Sequence, residues 1–154
     1  MNWDIIESQW KDIKGTLREK WAKFTDDDVA RLMADKSIVR NRAKILSAIN
    51  NAQRAIELVE EAGSLAAWFW QFEPKEEDRP ATVDLEYWQN AKTSPEATRL
   101  SKALKKRGWS WVGPVTIYSL MQALGMINDH IEGCQCRENF EQARENLRRP
   151  QPEK

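Results

Sequence analysis

Hydrophobic residues recur every three or four positions along most of the chain, and this period predicts amphipathic helices. Residues 73–94 show no such period and carry prolines and many acids, which predicts a loop. The stretches predicted to be helical are 3–24, a short segment after a Thr25–Asp28 capping pair, 38–62, 64–72, 95–107, 114–124 and 137–149. The pattern therefore predicts an all-α fold, a helical bundle.

The length of 154 residues fits one domain with a substantial core. We predict a single helical domain over residues 1–150, in which a helix of residues 1–25 packs on residues 26–137. The last residues, 150–154, contain two prolines and no apolar side chain that could anchor them. This tail is predicted to be disordered.

The stretch 99–113 joins a basic helix to a turn that contains glycine. Gly108 is suited to end the first helix, and Pro114 is suited to begin the next. Backbone N–H groups at a helix start, beside lysines, form a cradle for phosphate, as in a helix-hairpin-helix motif. An ordinary helical hairpin with glycine caps and solvated lysines remains the alternative. The candidate DNA-binding residues are Lys102, Lys105, Lys106, Arg107, Gly108, Trp109 and Gly113.

Charge and composition narrow the possible partners. The 24 basic and 24 acidic residues cancel, so attraction to nucleic acid has to come from a local patch. No apolar run reaches the roughly 18 residues that span a bilayer, so we expect no membrane partner and a cytoplasmic location. Most of the eight tryptophans are expected to pack in the core.

Two runs of sequence resemble one known family. Residues 101–134, SKALKKRGWSWVGPVTIYSLMQALGMINDHIEGC, resemble the C-terminal part of the DNA-3-methyladenine glycosylase I family. Residues 25–56, TDDDVARLMADKSIVRNRAKILSAINNAQRAI, are similar to its middle region. Over about residues 25–137 the resemblance implies a helix-hairpin-helix fold, duplex DNA as a partner and excision of alkylated adenine. It also implies that the helix bearing Tyr118, Ser119 and Gln122 borders the base pocket.

The first 28 residues, MNWDIIESQWKDIKGTLREKWAKFTDDD, resemble the opening of the CsbD family of small bacterial stress-response proteins. The two resemblances meet at residues 24–28, which indicates a chimera. A natural fusion, a recombinant and an artificial composite are all consistent with this junction.

The glycosylase resemblance also implies zinc, because His130 and Cys134 match the family's H-x-x-x-C ligand pair. Structural zinc takes four ligands, whereas the chain has one histidine and two cysteines. Cys136 could be a third ligand, with Asp129 or Glu132 as a poor fourth. The alternative is a histidine near a helix end with two free thiols, and we expect zinc to be absent or substoichiometric.

Family members draw two further zinc ligands and a pocket glutamate with aromatic walls from their opening segment, and residues 1–24 show none of those motifs. The catalytic residues are thus unknown, and base excision is expected to be weak or absent. Two functions follow as hypotheses. One is a DNA-binding, catalytically impaired glycosylase-like protein. The other is a noncatalytic protein-interaction factor, such as an inhibitor, an antitoxin or a stress-associated protein, whose acidic loop and exposed tryptophans meet a protein partner.

Overall fold

The computed structural model describes residues 24–151, and these residues form helices and loops without a strand. In chain order the helices are α1 Asp26–Ala34, α2 Arg42–Ala62, α3 Leu65–Trp70, α4 Leu85–Asn90, α5 Pro95–Lys106, α6 Pro114–Ala123 and α7 Gln135–Glu145, with a 3-10 turn at Glu76–Asp78. The all-α prediction is confirmed. The predicted helix over residues 3–24 and most of the predicted tail lie outside the described residues.

The chain divides into two compact units, Met1–Glu57 and Leu58–Lys154. In the described part of the first unit, α1 begins as predicted. The hydroxyl of Thr25 accepts a hydrogen bond from the backbone N–H of Asp28, and the Asp28 carboxylate accepts one from the N–H of Thr25. This reciprocal capping box satisfies two backbone donors that a helix start leaves free.

The next helix was predicted from residue 38, but α2 begins at Arg42. The side-chain oxygen of Asn41 accepts the N–H of Lys44 at 3.1 Å, the bond that an N-cap residue makes. Ile38 and Val39 precede the helix and are exposed. A local capping bond thus sets this helix start, and the apolar residues before it do not extend the helix.

The core of the second unit is built around α5 and α6. Ser94 caps α5 by accepting the N–H of Ala97 at 3.1 Å, and Pro95 occupies the first turn, as predicted. Leu124, the last residue of the helix predicted over residues 114–124, follows the end of α6 and is exposed. The core residues are Leu58, Trp68, Phe69, Ala97, Leu100, Leu104, Val112, Ile117, Tyr118, Met121 and Met126.

The predicted loop of residues 73–94 contains a helix, α4, which the sequence analysis missed. Asp84 caps this helix, because its carboxylate accepts the N–H of Tyr87 at 2.7 Å. Leu85 and Trp88 stand on its exposed side. The helix is only six residues long, and its few apolar residues stand in a stretch without a 3.6-residue period.

Glu73, the first residue of the predicted acidic loop, lies at the centre of an arginine cluster. Its carboxylate accepts hydrogen bonds from Arg144 at 2.8 Å and from two nitrogens of Arg149 at 3.0 and 3.1 Å. Arg79 lies 3.4 Å away on the same oxygen as Arg144. The Arg144 side chain is 5% exposed, so its charge depends on this carboxylate.

This cluster predicts a pH dependence of stability. Burial by itself raises the pKa of Glu73, but the hydrogen bonds from Arg149 and Arg144 outweigh burial and hold the pKa below the ordinary 4.5. The stabilisation is therefore fully present above pH 4.5 and is lost as the pH falls through the lower, folded-state pKa. We expect the difference in unfolding free energy between the parent and Glu73→Gln to shrink below pH 4.5, measured by urea denaturation. A difference that stays constant down to acid-induced unfolding would contradict this.

Candidate nucleic-acid interface

A helical hairpin is formed by α5, the turn of residues 107–113 and α6. Gly108 follows α5 with a φ of +79°, a left-handed conformation that glycine adopts without strain. The hydroxyl of Ser101, inside the core, donates to the carbonyl of Val112 at 2.6 Å. The N–H of Trp109 donates to the carbonyl of Leu104 at 3.1 Å. These bonds fix the turn to α5, so the start of α6 is held in one position.

The N-terminus of α6 is open at the surface. Gly113 is its N-cap residue and, having no side chain, makes no capping hydrogen bond. Val115 and Thr116 in the first turn are exposed. A Cβ built on Gly113 would meet no atom within 4 Å, so there is room for another molecule to approach the backbone. A ten-residue helix with an uncapped N-terminus carries partial positive charge there and can hold an anion.

The basic residues predicted to bind DNA fall into two groups. Lys102, Lys105 and Lys106 are exposed along α5. Arg107 is half-buried, donates to Glu61 at 2.6 Å and lies over the ring of Trp68 at 5.1 Å. Its guanidinium is thus already paired with Glu61 and stacked on Trp68, and the three lysines are the predicted DNA-binding residues whose charge is exposed to solvent.

The structure distinguishes the two tryptophans of the turn. Trp109, which was predicted to contact DNA, instead packs its edge on Phe69, with the ring centroids 6.3 Å apart. Trp111 is 57% exposed at the tip of the turn, and its φ of +58° is unusual for a residue with a large side chain. Sequence reasoning did not select Trp111. The sequence did contain one sign that Trp111 is exposed. Trp111 follows Ser110 near the middle of the stretch between Gly108 and Gly113, where a turn points away from the helices that it joins.

Two cavities lie beside α6. The larger, of about 770 Å³, includes Tyr118 in its wall, and the smaller, of about 210 Å³, includes Gln122. Ser119, the third predicted pocket residue, faces solvent and donates to the carbonyl of Val115. Seven carboxylates and three arginines line the larger cavity, so its net charge repels phosphate. DNA phosphate is therefore expected at the hairpin rather than in this cleft.

Asp129 lines both cavities and joins two of the three predicted pocket residues. Its Oδ2 accepts hydrogen bonds from the Tyr118 hydroxyl at 2.5 Å and from Gln122 Nε2 at 2.7 Å. Burial, and then the bonds to Asp129 and Tyr87, raise the pKa of Tyr118 far above its ordinary value, so this phenol remains a donor. The sequence analysis considered Asp129 only as a poor zinc ligand and missed this structural role.

His130 and Cys134 lie together, as the zinc-ligand resemblance implies. The distance between His130 Nδ1 and Cys134 Sγ is 3.7 Å. Cys136 is an exposed free thiol, and no cluster of three potential metal-binding side chains occurs among residues 24–151. The described residues thus provide two of the four ligands of a structural zinc and do not fit a complete site within this chain.

Among the described residues, no helix is both long enough and apolar enough to cross a bilayer. This agrees with the absence of an apolar run in the sequence. The predicted cytoplasmic location stays a prediction.

Comparison with known proteins decides the family. A family model described as methyladenine glycosylase matches residues 10–138 of this chain. The chain belongs to the methyladenine glycosylase family. This match begins earlier than the resemblance noted from residue 25, so family-like sequence extends into the N-terminal stretch.

Individual members of the family support this assignment. DNA-3-methyladenine glycosylase 1 of Escherichia coli (strain K12) is 37% identical over 118 residues, covering 76% of this chain and 62% of that protein. A structure of 3-methyladenine DNA glycosylase I from Staphylococcus aureus, which describes 3-methyladenine recognition, superposes with a TM-score of 0.68 at 29% identity. It covers 77% of this chain and 62% of the Staphylococcus chain. The chain thus spans less than two thirds of the length of both relatives.

A second likeness concerns a short segment. A UPF0337 protein of Bradyrhizobium diazoefficiens is 59% identical over 29 residues, which cover 19% of this chain and 44% of that protein. UPF0337 proteins are CsbD-like, so both resemblances predicted from the sequence are confirmed.

Proposed function

We propose that this family member binds duplex DNA through the helical hairpin and excises alkylated bases weakly or not at all. The observation that carries the proposal is the uncapped N-terminus of α6 beside the exposed Lys105 and Lys106. Backbone N–H groups and a helix dipole favour a phosphate at this point, and the lysines add attraction over the neighbouring backbone. The relatives are named DNA glycosylases, which supports DNA as the partner.

In this proposal, the residues of the hairpin have different roles. The α6 N-terminus holds one phosphate, and Lys102, Lys105 and Lys106 contact phosphates along the strand. Trp111 stands at the tip of the turn, where its ring can stack on an exposed base or sugar. Trp109 packs on Phe69 and Arg107 pairs with Glu61, and both contacts support the turn. Because phosphate contacts carry little sequence information, binding is expected to depend on salt and not on base sequence.

Charge reversal at the hairpin provides the test. We expect Lys105→Glu/Lys106→Glu to abolish binding of a short duplex at moderate salt. Any residual binding at low salt should show a slope of log affinity against log salt that is smaller by about two, one unit per lost lysine. Fluorescence anisotropy over a salt series measures both quantities.

The matched control is Lys75→Glu/Lys92→Glu, which changes the net charge equally at two exposed lysines outside residues 95–123. This variant should bind within a fewfold of the parent. If the hairpin variant binds as well as the parent, or if both variants lose binding equally, the hairpin is not the DNA site. A parent chain without salt-dependent binding would favour the alternative of a noncatalytic protein-interaction factor.

A further inference from the structure

The larger of the two cavities beside α6, the acidic cavity, has an excess of negative charge. Its lining carries seven carboxylates and three guanidinium groups around a volume of about 770 Å³. Two of these arginines, Arg79 and Arg144, already pair with Glu73, which is not part of the lining. The arginines therefore do not cancel the negative potential of the cavity, and a cation is the kind of ligand that it attracts.

Glu96 is the one buried residue among these seven carboxylates, with a side chain that is 6% exposed. Within residues 24–151 it has one ionic contact, Arg99, whose guanidinium nitrogen lies 3.5 Å from Oε1. That distance is longer than an ordinary hydrogen bond, and the Arg99 side chain is itself 63% exposed. A buried carboxylate without a close donor is costly, so a cationic donor in the cavity would stabilise Glu96.

A second carboxylate of the lining is only half satisfied. Asp129 Oδ2 accepts hydrogen bonds from Tyr118 and Gln122, but Oδ1 is buried and has no hydrogen-bond partner in the described part of the chain. Tyr118, Val83 and Met126 are buried residues of the same lining, and they give the cavity an apolar side. The ligand that fits is positively charged and also has apolar parts, as an alkylammonium chain does.

The acids are distributed along the cavity and are not gathered at one point. As far as the structure describes the chain, no three His, Cys, Asp or Glu side chains come close enough to share a metal ion. A hard cation such as Ca²⁺ takes about six to eight oxygen ligands around one centre, which this lining does not offer. Asp78 and Glu86 of the lining are exposed, whereas Glu96 is buried. Several separated positive charges match this arrangement better than one.

Part of the acidic cavity lies beyond the sequence that the family model matches. The match ends at residue 138, whereas Glu141 and Arg144 of the lining come from the later turns of α7. Of the three residues that the glycosylase resemblance places beside the base pocket, only Tyr118 lines this cavity. The ligand of the cavity is therefore inferred from its own lining.

We propose that the acidic cavity binds a linear polyamine-like cation, in which ammonium groups are separated by methylene chains. One ammonium group pairs with Glu96 inside the cavity, the methylene groups lie along Val83 and Met126, and a further ammonium group stays near the exposed acids. The same negative potential repels phosphate. The inference does not depend on DNA binding by the hairpin.

Isothermal titration calorimetry of the full chain with the triamine spermidine tests the proposal. The buffer contains about 0.15 M salt, because a Debye length of about 8 Å screens diffuse attraction to exposed acids. We expect saturable binding of one spermidine per chain, and Mg²⁺ at the same concentration should displace little of it. Heats that do not saturate, or ready displacement of spermidine by Mg²⁺, would overturn the proposal.

Two variants locate the site. Glu96→Gln, which nearly preserves the shape of the buried side chain, should weaken spermidine binding at least about tenfold. Asp78→Asn/Glu86→Gln changes only exposed residues of the lining and should weaken binding about two- to fivefold. The matched control, Asp26→Asn/Asp27→Asn, removes the same charge at exposed residues of α1 and should bind like the parent.

Thermal unfolding checks that these variants are folded, and the exposed pair keeps the test decisive if Glu96→Gln is unstable. Parent-like binding by Asp78→Asn/Glu86→Gln, or an equal loss in the α1 control, would refute the assigned site.

A free polyamine and a lysine-rich protein segment both carry ammonium groups on methylene chains. Competition between spermidine and a tetralysine peptide distinguishes these two sources. Tighter binding of spermidine would support a free polyamine as the ligand, and tighter binding of the peptide would support a protein segment with the same chemistry. Failure of both to bind would overturn the proposal.

Discussion

Replacing Glu73 with alanine is expected to lower the free energy of unfolding by about 3–5 kcal/mol, because it leaves a buried guanidinium without a counter-ion. Arg144 is buried and donates to Glu73 at 2.8 Å. Arg149 donates to both oxygens of the same carboxylate and lies over the ring of Trp70 at 5.8 Å. One side chain therefore links the segment after α3 to α7 and the residues that follow it.

Urea denaturation followed by far-UV circular dichroism measures this loss. The control is Glu77→Ala, since Glu77 faces Lys75 at 3.5 Å with both side chains 74% exposed. Exposed pairs of this kind contribute less than about 1 kcal/mol, so the control should unfold close to the parent. Equal, small losses in both variants would show that solvent compensates Arg144 once Glu73 is removed.

Excision of 3-methyladenine from alkylated duplex DNA is expected to be at least about 10²–10³-fold slower than excision by the Escherichia coli relative, the loss that follows removal of one preorganised electrostatic group. A flipped cationic base has to lie between aromatic walls and beside a carboxylate. The glycosylase resemblance implies that the aromatic walls and the carboxylate come from the opening segment of family members. The motifs of that segment are not found in residues 1–24. Tryptophans there can supply a stacking wall, but a correctly aimed carboxylate is harder to replace.

Release of the free base from methylated duplex DNA, measured by chromatography beside the Escherichia coli enzyme, tests this expectation. Glu7 and Glu19 are the informative positions, because they lie among lysines on the predicted solvent face of the first helix. Excision at a rate near that of the relative, lost in Glu7→Gln or Glu19→Gln, would show that the helix places a carboxylate in the pocket. It would also show that its faces were assigned incorrectly.

The sequence predicted the hairpin well because the determinants of that region are local. Ser94 and Pro95 begin α5, Gly108 follows its end, and Pro114 begins α6, each for a reason that involves the backbone of its own neighbours. The capping box at Thr25 was predictable on the same ground. These signals do not depend on the rest of the fold.

The parts that could not be predicted depend on residues far apart in the chain. Glu73 meets Arg144 and Arg149 across 71 and 76 positions, and no local pattern indicates such a pairing. Whether Trp109 or Trp111 turns inward depends on Phe69, which a different helix supplies. The prediction placed Glu73 in an acidic loop because of the composition of that stretch, and it placed Trp109 on the DNA face because of its position in the turn after Gly108.

The hydrogen bond from Ser101 to the carbonyl of Val112 has a consequence for the thermodynamics of association. A turn that is already ordered loses little conformational entropy when a ligand binds, so most of the energy of each phosphate contact remains as affinity. The same rigidity prevents the turn from adapting to a different backbone shape. The protein would then prefer the form of DNA, duplex or single-stranded, whose phosphate spacing matches the fixed positions of the binding groups on the turn.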